Sequence, residues 1–187
     1  MEKSLIEVFN RSFEEIKKIA EKGKIKKYVE FKENKIFTFY FNERIEIDLK
    51  SGKFYPNIDD REKVLILHYL SKECKTNPNG IITFKDLPEG TFYFPSIYSR
   101  IHKPLIEKYG KRPDDFVEKM VGIGGTKISD YSVRINIFPD IFFIFEILPE
   151  DQEFPADLKV FFNKTSSKIF EIEDLAIIGE IVVSKIL

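Results

Sequence analysis

From Tyr131 to Phe138 the chain alternates, with Tyr131, Val133, Ile135 and Ile137 on one side of an extended segment and Ser132, Arg134 and Asn136 on the other. The pattern predicts a strand with one buried face. Next comes IFFIFEIL, residues 141–148, apolar everywhere except Glu146, which reads as a central strand covered on both sides. A third extended segment, 157–162, follows a turn that Pro149 and Pro155 keep out of the sheet. Glu146 is a carboxylate in an apolar strand and needs a partner or a proton. A three-residue connection over 139–141 sets it opposite Arg134 as an ion pair. A two-residue connection sets it opposite Val133, and a four-residue one opposite Ile135.

Helical spacing takes over elsewhere. Leu5, Phe9, Phe13, Ile16 and Ala20 make one apolar stripe over residues 2–22, ending at Gly23. Short strands at 28–32, 36–41 and 44–49, joined at Glu33-Asn34 and Asn42-Glu43, predict an antiparallel meander. Asp59 or Asp60 can cap a helix to about Glu73, whose apolar residues from Val64 to Leu70 cover nearly its whole circumference and mark it as the main cover of the sheet. Helices are predicted over 96–109, interrupted at Pro104, over 113–121 and over 171–187, where Leu175, Ile178, Val182 and Ile186 form the packing stripe. Together these elements predict a single α+β domain over residues 1–187, an antiparallel sheet with helices packed on it.

Composition narrows the function classes. A net charge of -1 with 33% charged residues lacks the basic excess of a nucleic-acid binder, so no nucleic-acid partner is expected. The run Lys22, Lys24, Lys26, Lys27 reads first as a solvated turn and second as a phosphate contact. No apolar run approaches the ~18 residues that span a bilayer, and the amino terminus has no signal-peptide pattern, so a soluble cytoplasmic protein without a membrane partner is expected. Cys74 is the single cysteine, which excludes an internal disulfide, a Cys-based zinc site and an iron-sulfur cluster held by this chain alone.

Few residues suggest chemistry. His68 sits in an apolar helix and reads either as a core histidine or as a base or metal ligand, without a second ligand at i+4. The aromatic stretch 91–98, TFYFPSIY, reads first as core packing; the other reading is a pocket for a flat apolar ligand, oriented by the hydroxyls of Tyr93 and Tyr98. Gly122-Ile123-Gly124-Gly125-Thr126-Lys127 has the wrong order for a phosphate loop and reads as a helix-to-strand connection. Glu150, Asp151, Glu153 and Asp157 form an acidic turn that could cap backbone, hold a divalent cation through Glu150, Asp151 and Glu153, or supply an acid and a base.

In order and rough spacing, Leu67-His68-Tyr69-Leu70, Ser129-Asp130-Tyr131, Phe138-Pro139, Glu153-Phe154-Pro155-Ala156, Phe161-Phe162-Asn163-Lys164 and Glu173-Asp174-Leu175 resemble an uncharacterised prokaryotic family, a domain of unknown function found largely in anaerobes. Some members are labelled putative iron-sulfur proteins because they carry an additional cysteine-rich segment, which this chain lacks. Asn163 stands where relatives tend to show aspartate, which speaks against a catalytic carboxylate there. The resemblance implies a non-enzymatic binding or accessory module linked to anaerobic metal-cofactor metabolism, acting on another protein. The alternative is an enzyme using Asp130, His68 and the acidic turn 150–157, which requires those groups to converge.

Overall fold

The computed structural model describes residues 3–22, 28–72 and 79–187. Cys74, Lys24, Lys26 and Lys27 lie outside the described residues. The fold class is α+β, with antiparallel sheets and helices packed on them. The chain divides into two units, Met1–Lys75 and Thr76–Leu187, each with its own sheet, so the meander and the later strands do not join.

In the first unit, helix α1 (Lys3–Glu21) buries Phe13, Ile16 and Ala20, as its stripe predicts. Strands β1 (Glu30–Lys32), β2 (Lys35–Tyr40), β3 (Glu43–Asp48) and β4 (Phe54–Tyr55) pair in that order. The second hairpin turns at Phe41-Asn42, one residue earlier than the expected Asn42-Glu43, with φ of 48° and 63°. Asn-containing two-residue turns favour positive φ, and burial of the Phe41 ring, edge-on to Tyr40 at 4.8 Å, offsets the strain on a residue that rarely adopts it. Helix α2 (Asp60–Ser71) starts with a full capping box, in which Asp59 accepts from Arg61 N and Glu62 accepts from Asp59 N. It packs along α1 within this unit.

In the second unit the sheet order is β5-β9-β8-β7-β6: β5 (Ile81–Thr83), β6 (Thr126–Lys127), β7 (Ser132–Phe138), β8 (Ile141–Leu148) and β9 (Asp157–Asn163). Strand β8 is central, but only Ile141, Phe143, Phe145 and Ile147 are buried, while Phe142, Ile144, Glu146 and Leu148 are half-covered. The expectation of burial on both faces is corrected accordingly. A bulge between Asn136 and Phe138 shifts the β7–β8 register by one residue. Glu146 therefore faces Ser132, whose hydroxyl donates to it at 3.2 Å, and on the other side Lys159 of β9. Arg134 stands opposite Ile144 and lies 3.9 Å over the Phe142 ring, so the Arg134–Glu146 pair is not formed.

Helices α3 (Gly90–Ile97), α4 (Lys103–Tyr109), α5 (Pro113–Gly122), α6 (Ser166–Ile169) and α7 (Ile172–Ile186) complete this unit. The glycine run after α5 is the helix-to-strand connection the sequence predicts. All four stripe residues of α7 are buried.

Candidate functional site

The helical segment from Gly90 to Tyr109 starts six residues before the expected helix and runs through Pro104 without a break. Between α3 and α4 the backbone widens into a π turn, Tyr98–His102, where Lys103 N–H reaches back five residues to the Tyr98 carbonyl. Pro95 and Pro104 lack the amides that an α-helix would use on either side, and π turns relieve such mismatches. The turn is clamped to α7. Ile101 is fully buried against Gly179, where an added Cβ would stand 2.4 Å from Ile101 Cδ1. Arg100 reaches Glu173 at 2.9 Å and Glu180 at 2.7 Å.

With Ile97, Ile101 and Leu105 committed to the core, the adjoining stripe Phe94, Tyr98, His102 faces β9. It walls a cleft of about 460 Å³ whose other residues include Lys85, Lys159 and Phe161. Only Ile97 among the side chains of the aromatic stretch is buried, so core packing, the first reading of this segment, gives way to the pocket wall. Phe92 is 83% exposed and Tyr93 rests edge-on against it, away from the cleft-lining residues. Tyr98 does line the cleft, by its ring.

His102 is the polar centre. Its ring is 5% exposed, edge-on to Phe94 at 5.2 Å and stacked on Tyr98 at 5.7 Å. Burial lowers its pKa below the ordinary histidine value, opposed by a hydrogen bond to the Leu158 backbone and by the Asp157 charge, and reinforced by Lys85. Nε2 is buried and has no hydrogen-bond partner. A buried ring nitrogen left unpaired is uncommon and marks a place where something can bind. The sequence reading missed His102. The available signal was the i, i+4, i+8 spacing of Phe94, Tyr98 and His102 in a segment that carries Pro95 and Pro104.

A second groove of about 720 Å³ adjoins the cleft through Tyr98 and Asp157, and is lined by Leu148, Pro149, Asp151 and Phe154. Here the acidic turn serves the backbone. Asp151 accepts from the amides of Glu153 and Phe154 at 2.8 and 2.7 Å, which hold its carboxyl below the usual carboxylate range. Glu150 pairs with Lys111 at 3.2 Å, its amide donates to the Gly110 carbonyl, and Glu153 is exposed. Among the described residues no three His, Cys, Asp or Glu side chains gather as a metal ion would require. Asp130 is exposed ahead of β7, and half-buried His68 belongs to the first unit, so within neither unit do His68, Asp130 and the acidic turn converge. Asn163 is structural: it accepts from Phe142 N and Ser166 Oγ and donates to the Asp140 carbonyl. Among the described residues no helix is long and apolar enough to cross a membrane.

A family model described as a domain of unknown function (DUF3786) matches residues 26–185. No curated protein and no solved structure matches the chain.

Proposed function

The chain belongs to the DUF3786 family, and from that premise we propose that it is a binding module whose ligand site is the cleft between the Gly90–Tyr109 helical segment and β9. One observation carries the reading: a cleft walled by Phe94, Tyr98 and Phe161 is also lined by a 95% buried histidine whose Nε2 has no hydrogen-bond partner. A volume of about 460 Å³ falls within the ~300–1,000 Å³ typical of small-molecule sites, and the mix of apolar walls with a few polar groups is their usual composition. Asp157, the single carboxylate lining the cleft, accepts from the Leu158 amide at 2.8 Å.

The test is a fragment screen followed by amide chemical-shift mapping. Ligands that perturb His102, Leu158 and Phe161, and lose that effect in Phe94→Ser, support the site. A library of flat fragments that leaves those three amides unmoved refutes it.

A second reading is favoured by Phe92 and Phe154, 83% and 67% exposed. It makes the module an accessory to another protein, the role in metal-cofactor metabolism being exercised through that partner. Affinity capture with wild type and with Phe92→Ser/Phe154→Ser tests it, and capture of the same proteins by both baits counts against it.

A further inference from the structure

We infer that the cleft takes an extended segment of another protein, alternating apolar and acidic residues, which adds a strand to the open edge of β9. The inference rests on the binding-module reading above and specifies its ligand.

Strand β8 pairs with β9 along one edge from Asp157 to Phe162. On the other edge β5 stops at Thr83, opposite Phe161, and the chain leaves the sheet in the helical turn Phe84–Asp86. Residues 157–160 therefore have a strand on one side only among the described residues. The cleft lies along the open side. Asp157, Leu158, Lys159, Val160 and Phe161 all line it, although consecutive side chains of a strand point to opposite faces, so the edge of the strand itself is the wall. Phe94 and Tyr98 of the helical segment stand across from it. A peptide that adds to a sheet edge gains main-chain hydrogen bonds, and the pockets beside the edge select its side chains.

Two hydrogen bonds fix which backbone groups face this edge. Lys164 N–H donates to the Gly80 carbonyl on the β5 side at 3.1 Å, and Ile147 N–H of β8 donates away from β9, to Tyr131, at 3.0 Å. Backbone groups alternate in direction along an antiparallel ladder, so both bonds turn Leu158, Val160 and Phe162 toward the β5 edge. Phe162 meets Ile82 there, and the Leu158 amide is closed by the Asp157 carboxylate at 2.8 Å. Val160 lies beyond the end of β5, and its amide and carbonyl have no partner toward this edge among the described residues. One antiparallel peptide residue would accept from that amide and donate to that carbonyl.

Side chains directly opposite each other in an antiparallel pair share a face. The peptide residue opposite Val160 falls on the face of buried Leu158, Val160 and Phe162, which calls for an apolar side chain. Its neighbours fall on the face of Lys159, which is exposed and forms no ion pair among the described residues. Lys85 also lines the cleft, its Nζ 4.1 Å over the Phe94 ring, and Asp157 is the single lining carboxylate. The rim is net cationic and complements acidic side chains. The same lysines oppose edge-to-edge pairing with a second copy, where like charges would meet.

The experiment uses the full chain and a library of linear peptides in which Asp or Glu alternates with Val, Ile or Phe; a matched library carries Lys in the acidic positions. In fluorescence anisotropy the acidic members are expected to bind about 10-fold or more tightly than their basic counterparts. N-methylation scanned along the best acidic binder should cost about 10-fold at the residue paired with Val160. In the complex, hydrogen exchange of the Val160 amide of the unmutated chain should slow by about 10-fold or more. Lys159→Glu, a change at an exposed side chain, should reverse the charge preference.

Equal binding of acidic and basic peptides, or a Lys159→Glu chain that still prefers acidic ones, overturns the assignment of an acidic segment. Tolerance of N-methylation at every position, or an unchanged Val160 exchange rate in the complex, overturns strand addition. Self-association that protects the Val160 amide makes a second copy the occupant and likewise overturns it. If flat fragments shift the Leu158 and Phe161 amides while no peptide of either library binds, the inference falls and the binding-module reading stands. If neither fragments nor peptides reach the cleft, both fall.

Discussion

Asn163 holds three segments of the second unit together, and its replacement has a calculable cost. Its side chain is 7% exposed and closes three hydrogen bonds, from Phe142 N at 3.2 Å, from Ser166 Oγ at 2.7 Å and to the Asp140 carbonyl at 2.8 Å. Each is worth about 0.5–1.5 kcal/mol net, and the partners they leave behind are buried or half-buried. Asn163→Ala should therefore destabilise the chain by about 2–4 kcal/mol, a fall of roughly 4–16 °C in Tm for a protein of this size. Urea denaturation followed by far-ultraviolet circular dichroism measures it. Asn163→Asp gives a sharper test. An aspartate can still accept from Phe142 N and Ser166 Oγ, but once ionised it turns a carboxylate, in place of an amide donor, toward the Asp140 carbonyl. Its folded-state pKa is thereby raised above the unfolded value of about 3.9. The folded state then holds more protons than the unfolded one between these two pKa values, so stability falls as pH rises through that window. Relative to wild type, the variant should be weakest at neutral pH and recover toward pH 4. A pH-independent difference, or an Asn163→Ala cost under about 0.5 kcal/mol, would show that Asn163 is not the staple described here.

Other outcomes follow from single contacts. Asp59→Ala removes the capping box of α2 and should cost about 1 kcal/mol in the same urea assay, with Asp59→Ser restoring most of it. Gly90→Ala would place a Cβ 1.9 Å from the Phe84 carbonyl oxygen, so the start of α3 must move; a loss above about 3 kcal/mol or failure to recover folded protein is expected, and a wild-type Tm would refute the close approach. Burial, reinforced by Lys85 and opposed by the Leu158 backbone and the Asp157 charge, sets the folded pKa of His102 below the unfolded value, so its contribution is complete above about pH 6.5 and is lost as pH falls through the lower folded value. In His102→Phe that part of the acid destabilisation should vanish, and an unchanged slope of stability against pH between 5 and 7 would contradict it.

The parts that were legible from sequence are those written in local periodicity. The stripe of α1, the cap offered by Asp59 or Asp60 and taken by Asp59, the alternation of β7 apart from buried Ser132, and the stripe of α7 each depend on residues within one element. The candidate site was legible only in Tyr98. His68, Tyr93, Glu150, Asp151 and Glu153 were singled out by residue type, and type does not reveal that Asp151 is engaged by two amides or that His68 belongs to a different unit from the aromatic stretch. His102 looked like an ordinary polar position in an interrupted helix.

Sequence by itself determined the α+β class, the elements and most of their buried faces, because hydrophobic period and capping residues act over one or two turns of chain. Tertiary structure alone decided the partner of Glu146, since one bulged residue in β7 changes every pairing beyond it. It also decided the site. Only when α7 seizes Arg100 and Ile101 does the next stripe of the same helix turn to β9, some 56 residues further along the chain from His102 to Leu158, and only then does burial strip an ordinary histidine of water and leave its Nε2 without a hydrogen-bond partner.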